Sequence, residues 1–144
     1  MSFAFRIRTI AVAVLALFAS NLMAVTDEAS KTQAQEIIRG QIEAFKSGQD
    51  AVAYSYASPY VKGFFPDVGI FMEMVKRGYQ PVYNPRNYDF GRVKEPADGT
   101  VVQEVLITGP DGKPWTALYT LVRMPDGAWK INSVQIVPGD DSSA

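Results

Sequence analysis

The sequence predicts an α+β domain in which N-terminal helices pack on the concave face of a curved antiparallel sheet. Three observations predict it. Apolar residues recur at spacings of three and four as far as Gly78, period-two alternation takes over from Tyr88, and three turns of one chemistry punctuate the second half. Those turns are Pro96-Ala97-Asp98-Gly99, Pro110-Asp111-Gly112 and Pro125-Asp126-Gly127. Each supplies a proline-fixed φ, an Asx-type acceptor and a glycine free to take positive φ. At 144 residues the chain is one domain, able to bury roughly two-thirds of its unfolded surface.

The elements follow in order. Arg6 and Arg8 precede an unbroken apolar run from Ile10 to Ala19, the n-region and h-region order of a secretory signal peptide. Cleavage after Ala24 is expected, which makes residues 1–24 a leader and the protein exported, to a periplasm or beyond. An uncleaved anchor is the alternative, but the charge-free stretch from Thr9 to Thr26 is only 18 residues, near the short limit for a span. Once cleaved, the chain has no membrane span.

Residues 25–31 are polar and read as a flexible lead-in. From Thr32 the positions Ala34, Ile37, Ile38, Ile42 and Phe45 form one apolar stripe, ended by Ser47-Gly48, so an amphipathic helix is expected there. Asp50 caps a second, short helix through Ala57. Ser58-Pro59 opens a further helical turn that closes near Phe64-Phe65-Pro66, and Asp67 caps a third helix closed by Lys76-Arg77-Gly78. The two prolines of residues 79–86 predict an extended crossover or edge segment. Residues 88–94, 100–108, 114–123 and 128–137 read as strands of a meander. The domain so defined spans residues 32–138, and the acidic residues 139–144 read as a disordered tail.

Composition closes several mechanisms. The sequence holds no cysteine and no histidine, which removes disulfides, thiolate nucleophiles, sulfur-ligated zinc and the commonest general base. No cofactor or metal is expected; the Asp-Gly pairs lack the alternating ligands and closing glutamate of a calcium loop. Without residues 1–24 the chain carries 12 basic and 15 acidic side chains, net −3, so a basic nucleic-acid footprint is absent.

Period-two reading divides the strands into faces. The face with both tryptophans, carrying Gln103, Trp115, Tyr119, Trp129, Ser133 and Gln135, is expected to lie against the helices, with Tyr54 and Tyr56 offered from above. These eight residues are the candidate pocket, fitted to a small apolar or amphipathic ligand. The ordinary alternative is a core whose amides and phenols satisfy one another. The opposite face carries Leu106, Leu118, Val122, Val134 and Ile136, a candidate surface for homodimerisation or another protein partner. Tyr79, Tyr83, Arg86 and Tyr88 are residue types common at binding hot spots, and equally suited to covering one end of a core.

The helix-then-meander order over residues 32–138 resembles the cone-shaped fold of nuclear transport factor 2, shared with ketosteroid isomerase and polyketide cyclases. More closely, Gln41-Ile42-Glu43-Ala44-Phe45, Tyr54-Ser55-Tyr56-Ala57-Ser58-Pro59, Gly78-Tyr79-Gln80-Pro81-Val82-Tyr83 and Ile107-Thr108-Gly109-Pro110-Asp111-Gly112 look like the bacterial family known as domain of unknown function 4864. That family name implies no activity. The wider fold implies an isomerase, cyclase or dehydratase using a carboxylate and a tyrosine as one function, yet the strand reading puts no acid on the inner face. A non-catalytic binding or accessory domain is the expectation, with a protein-interaction domain using the outer sheet face as the other alternative.

Overall fold

The structure, a computed structural model, describes the backbone of residues 15–140 and the side chains of residues 28–140. Most of the expected leader and residues 141–144 of the expected tail therefore lie outside the described residues. Five helices precede four strands: α1 (Leu15–Lys46), α2 (Asp50–Ser55), α3 (Pro59–Phe64), α4 (Val68–Gly78), α5 (Gln80–Tyr83), β1 (Asn87–Ala97), β2 (Thr100–Thr108), β3 (Pro114–Arg123) and β4 (Trp129–Pro138). The strands form one antiparallel sheet in the order β1-β2-β3-β4. All three turn glycines, Gly99, Gly112 and Gly127, take positive φ, as a tight connection between twisted strands requires. Among the described residues no helix is long and apolar enough to cross a membrane.

Helix α1 lies over the sheet through a stripe of buried residues at helical spacing: Ser30, Ala34, Ile38, Gln41, Ile42 and Phe45. Residues 25–31, expected to be a flexible lead-in, continue this helix. Ser30 is buried and Lys31 pairs with Glu28, so the stripe extends one turn beyond what Thr32 onward reveals. The helix ends where the Gly48 amide donates to the Phe45 carbonyl and the Gln49 amide to the Ala44 carbonyl, with Gly48 at φ +70°. This crossed pair satisfies the last carbonyls.

Two local expectations change. Residue 49, not Asp50, occupies the cap position of α2, and its side chain makes no capping bond. The Tyr-Pro crossover contains a helical turn, α5, with Pro81 in its first turn, where a missing N–H costs nothing. The caps at Ser58 and Asp67 are as expected: the Ser58 hydroxyl accepts from the Val61 amide at 3.3 Å and the Asp67 carboxylate from the Ile70 amide at 2.8 Å.

On the sheet, Val101, Gln103, Val105, Ile107, Ala117, Tyr119, Leu121, Trp129 and Ile131 are buried against the helices, and Trp115 packs against them half-buried. The inner face is thus as read from β2, β3 and the start of β4. It changes partway along β4. Thr120 pairs with Ser133 and Leu121 with Ile131, leaving Asn132 as an extra residue, a bulge. Beyond it every side chain changes face. Val134 and Ile136 pack on the core, while Ser133 and Gln135 are exposed. The assignment of Ser133 and Gln135 to the inner face, and of Val134 and Ile136 to the outer one, is corrected accordingly. Leu106, Leu118 and Val122 remain outside, with Leu106 45% exposed.

Candidate binding groove

The feature of chemical interest sits at the β4 side of the sheet. Ser58, which follows the Ala57–Ile131 bridge to β4, caps α3, whose six residues place Tyr60 and Phe64 one turn apart on the outside. Their rings meet edge to face at 5.2 Å, yet the residues are 62% and 65% exposed. Val61 and the following Phe65 turn inward, where Phe71, Met74 and Val75 of α4 meet them.

Between these side chains and β4 opens a groove of about 330 Å³. Gln41, Phe45, Tyr79 and Val82 also line it, and Ile131, Asn132, Ser133 and Val134 form its β4 wall. The lining is mainly aromatic and aliphatic, and contains no carboxylate, lysine or arginine. Three of these lining rings form an aromatic cluster with Tyr54 behind them: Phe71 lies 5.2 Å from Tyr54, 6.4 Å from Phe45 and 6.4 Å from Phe65, centroid to centroid. The Tyr54 hydroxyl donates to the Phe65 carbonyl at 2.6 Å, and the Gln41 amide donates to the Ala53 carbonyl at 3.1 Å. Each bond satisfies a polar group where water is scarce.

The residues expected to form a pocket do not converge. Of the eight, Ser133 alone lines the groove. Tyr54 stands behind it, and the Lys62 ammonium sits 4.9 Å above its ring. The Tyr56 ring lies on Gly40, where an added Cβ would come within 2.5 Å of the phenol oxygen; a glycine is what lets α1 come so near. Gln103 is fully buried and fully employed. Its amide nitrogen lies within hydrogen-bond range of the Gly91, Arg92 and Glu104 carbonyls, and its oxygen accepts from Gln35 at 3.0 Å. It holds the β1 bulge that the register jump between Phe90 and Val93 creates.

Tyr119 is buried and its hydroxyl has no hydrogen-bond partner among the described residues. Burial pushes its ionisation far above the usual phenol value, and the neighbouring Tyr88 adds to this. The Trp115 indole N–H is likewise buried without a partner. Trp129 is buried beneath the Arg123 guanidinium, 5.8 Å from its ring, and Gln135 faces solvent on the other side of the sheet.

Sequence reasoning missed the groove because its walls come from two short helices and a bulge. One signal was present: Tyr60 and Phe64 at i and i+4, on the side of α3 opposite Val61 and Phe65.

The match to known families bears on both walls together. A family model described as domain of unknown function (DUF4864) matches residues 27–144. The chain belongs to that family. The DUF4864 span takes in the packed part of α1 and every element that lines the groove. Neither a curated protein nor a solved structure matches the chain.

Proposed function

We propose that this chain is an exported, non-catalytic binding or accessory domain whose groove takes a small apolar or amphipathic guest. The observation that carries the reading is the groove itself: an aromatic and aliphatic lining, a few polar groups at its β4 wall and floor, and two exposed rings at its lip. Exposed aromatics beside an apolar cleft are poor surface residues and good contact residues. The carboxylate-and-tyrosine isomerase reading has no such support, since Tyr60 and Tyr79 meet no acid within the lining. Glu43 does lie near a phenol, that of Tyr88 at 3.5 Å, but neither residue lines the groove.

Export rests on the n-region and h-region order of the first 24 residues. The nuclear transport factor 2-like cone is the fold reading we favour, supported by helices lying over one face of an antiparallel meander. A second reading, homodimerisation through the outer sheet face, is favoured by exposed Leu106 beside half-buried Leu118 and Val122.

The test is titration of the uncharged fluorescent probe N-phenyl-1-naphthylamine into the chain lacking residues 1–24. Saturable enhancement is expected. Tyr60→Ala and Phe64→Ala are each expected to weaken binding about tenfold, equivalent to about 1.4 kcal/mol, with unfolding curves unchanged because both rings stand in solvent. Undiminished affinity in both variants would remove the groove as the site.

A further inference from the structure

We infer that the guest of this groove is a short peptide in extended conformation, which adds as a strand to the outer edge of β4. The inference rests on the groove being a binding site, and names what that site takes. Three observations on β4 lead there.

First, Asn132, Ser133 and Val134 all line the groove. Asn132 belongs to the bulge, but Ser133 and Val134 lie beyond it on opposite faces of the sheet, and two neighbours of opposite face line one cavity where the backbone edge is its wall.

Second, that edge is already used for pairing by the chain itself. Ala57 bridges to Ile131 in parallel: the Ile131 amide donates to the Tyr56 carbonyl at 2.8 Å and the Ser58 amide to the Ile131 carbonyl at 2.9 Å. The pairing stops after one rung because Ser58-Pro59 turns into α3. The groove begins where it stops.

Third, the edge beyond Ile131 is open. Within a strand, the side a residue faces and the direction of its N–H and C=O are locked together. Ile131 faces the core and sends its backbone groups to the outer edge. Val134 and Ile136 also face the core, so theirs point the same way, and no hydrogen bond to either from outside the sheet occurs among the described residues. Open edges of this kind take added strands, with main-chain bonds giving affinity and side pockets giving selectivity.

A peptide continuing the parallel rung would run along residues 133–137 of β4. Alternate side chains would enter the groove between Phe64, Phe65 and Met74, and the others would face solvent. The uncharged lining selects apolar residues at the inward positions, spaced by two. Leu-Thr alternation has the required pattern.

The experiment uses a dye-labelled five-residue peptide of alternating leucine and threonine, followed by fluorescence anisotropy with the chain lacking residues 1–24. Two further peptides carry N-methyl groups on one or the other alternate set of backbone amides. Binding of the parent, displacement of the naphthylamine probe, and a loss of tenfold or more for one N-methylated set only are expected. Equal affinity of all three peptides would overturn strand addition while leaving groove binding intact. So would probe binding with no peptide binding. If neither probe nor peptide binds, both readings fall. Sedimentation across a concentration series covers the other occupant: a dimer in which the probe no longer binds would show the edge covered by a second copy, and would overturn the peptide assignment.

Discussion

Two buried polar side chains on neighbouring strands, Gln103 and Tyr119, face each other in register and behave in opposite ways. The Gln103 amide makes four hydrogen-bond contacts, three of them to backbone carbonyls, and removing it would take a shared donor from those part-buried carbonyls. The Tyr119 hydroxyl makes none among the described residues, so removing it takes away a desolvation cost. Gln103→Leu is therefore expected to lower the free energy of unfolding by about 2–3 kcal/mol, and Tyr119→Phe to raise it by about 1 kcal/mol, both read from urea melts at neutral pH. A pH series separates Tyr119 further. Its phenol ionises near 10.0 when the chain is unfolded and well above that when folded. The contribution of the neutral form is thus complete below pH 10 and lost as pH rises past it, by up to about 1.4 kcal/mol per unit. Tyr119→Phe should flatten that alkaline decline. A Tyr119→Phe chain less stable than the parent would show the hydroxyl to be bonded in solution.

Among the elements, β4 does two jobs because of one inserted residue. Up to Ile131 it seals the core and pairs with the Ala57 rung; beyond Asn132 its other set of side chains faces the helices. Inserting one alanine between Ser133 and Val134 would shift the alternation by one, turning Gln135 toward the core and Val134 and Ile136 toward water. A loss of about 3–5 kcal/mol is expected, measured by thermal unfolding, whereas Asn132→Ala keeps the register and should cost far less. The same residue marks the limit of sequence reading. The bounds of β2 and β3, the three Asp-Gly turns and the caps at Ser58 and Asp67 were legible because turn chemistry and period-two alternation are local signals. A bulge has no such signal in this stretch: Asn132 interrupts nothing in the pattern Trp129, Ile131, Ser133, Gln135, which alternates cleanly in the wrong phase. The helical turn α5 was illegible for a related reason, since Pro81 fits the first turn of a helix as well as an extended segment.

At the scale of the whole molecule, the helices cover one sheet face and the cleft opens at the sheet's margin, between α3, α4 and β4. The α+β architecture and the inner face up to Ile131 followed from pattern. The candidate pocket did not, because Tyr54, Gln103, Tyr119 and Trp129 were chosen for facing inward, and an inward side chain in a well-packed domain meets other side chains before it meets a guest. Gln103 holds a bulge, Trp129 lies under Arg123, and Tyr54 props the connector at Phe65. The groove is built instead from two residues on the outside of a short helix, Tyr60 and Phe64, and from a strand edge, which side-chain periodicity does not describe.

Both tryptophans stand apart from that cleft: Trp129 beneath Arg123 and Trp115 against Gly109, neither in the lining. Their emission therefore follows the integrity of the sheet, whereas the tyrosines at positions 60 and 79 sit where a guest would touch them. Excitation at 295 nm, which selects indole, should stay constant through a titration that changes tyrosine emission. The molecule carries an internal reference that distinguishes occupancy from unfolding without any added label.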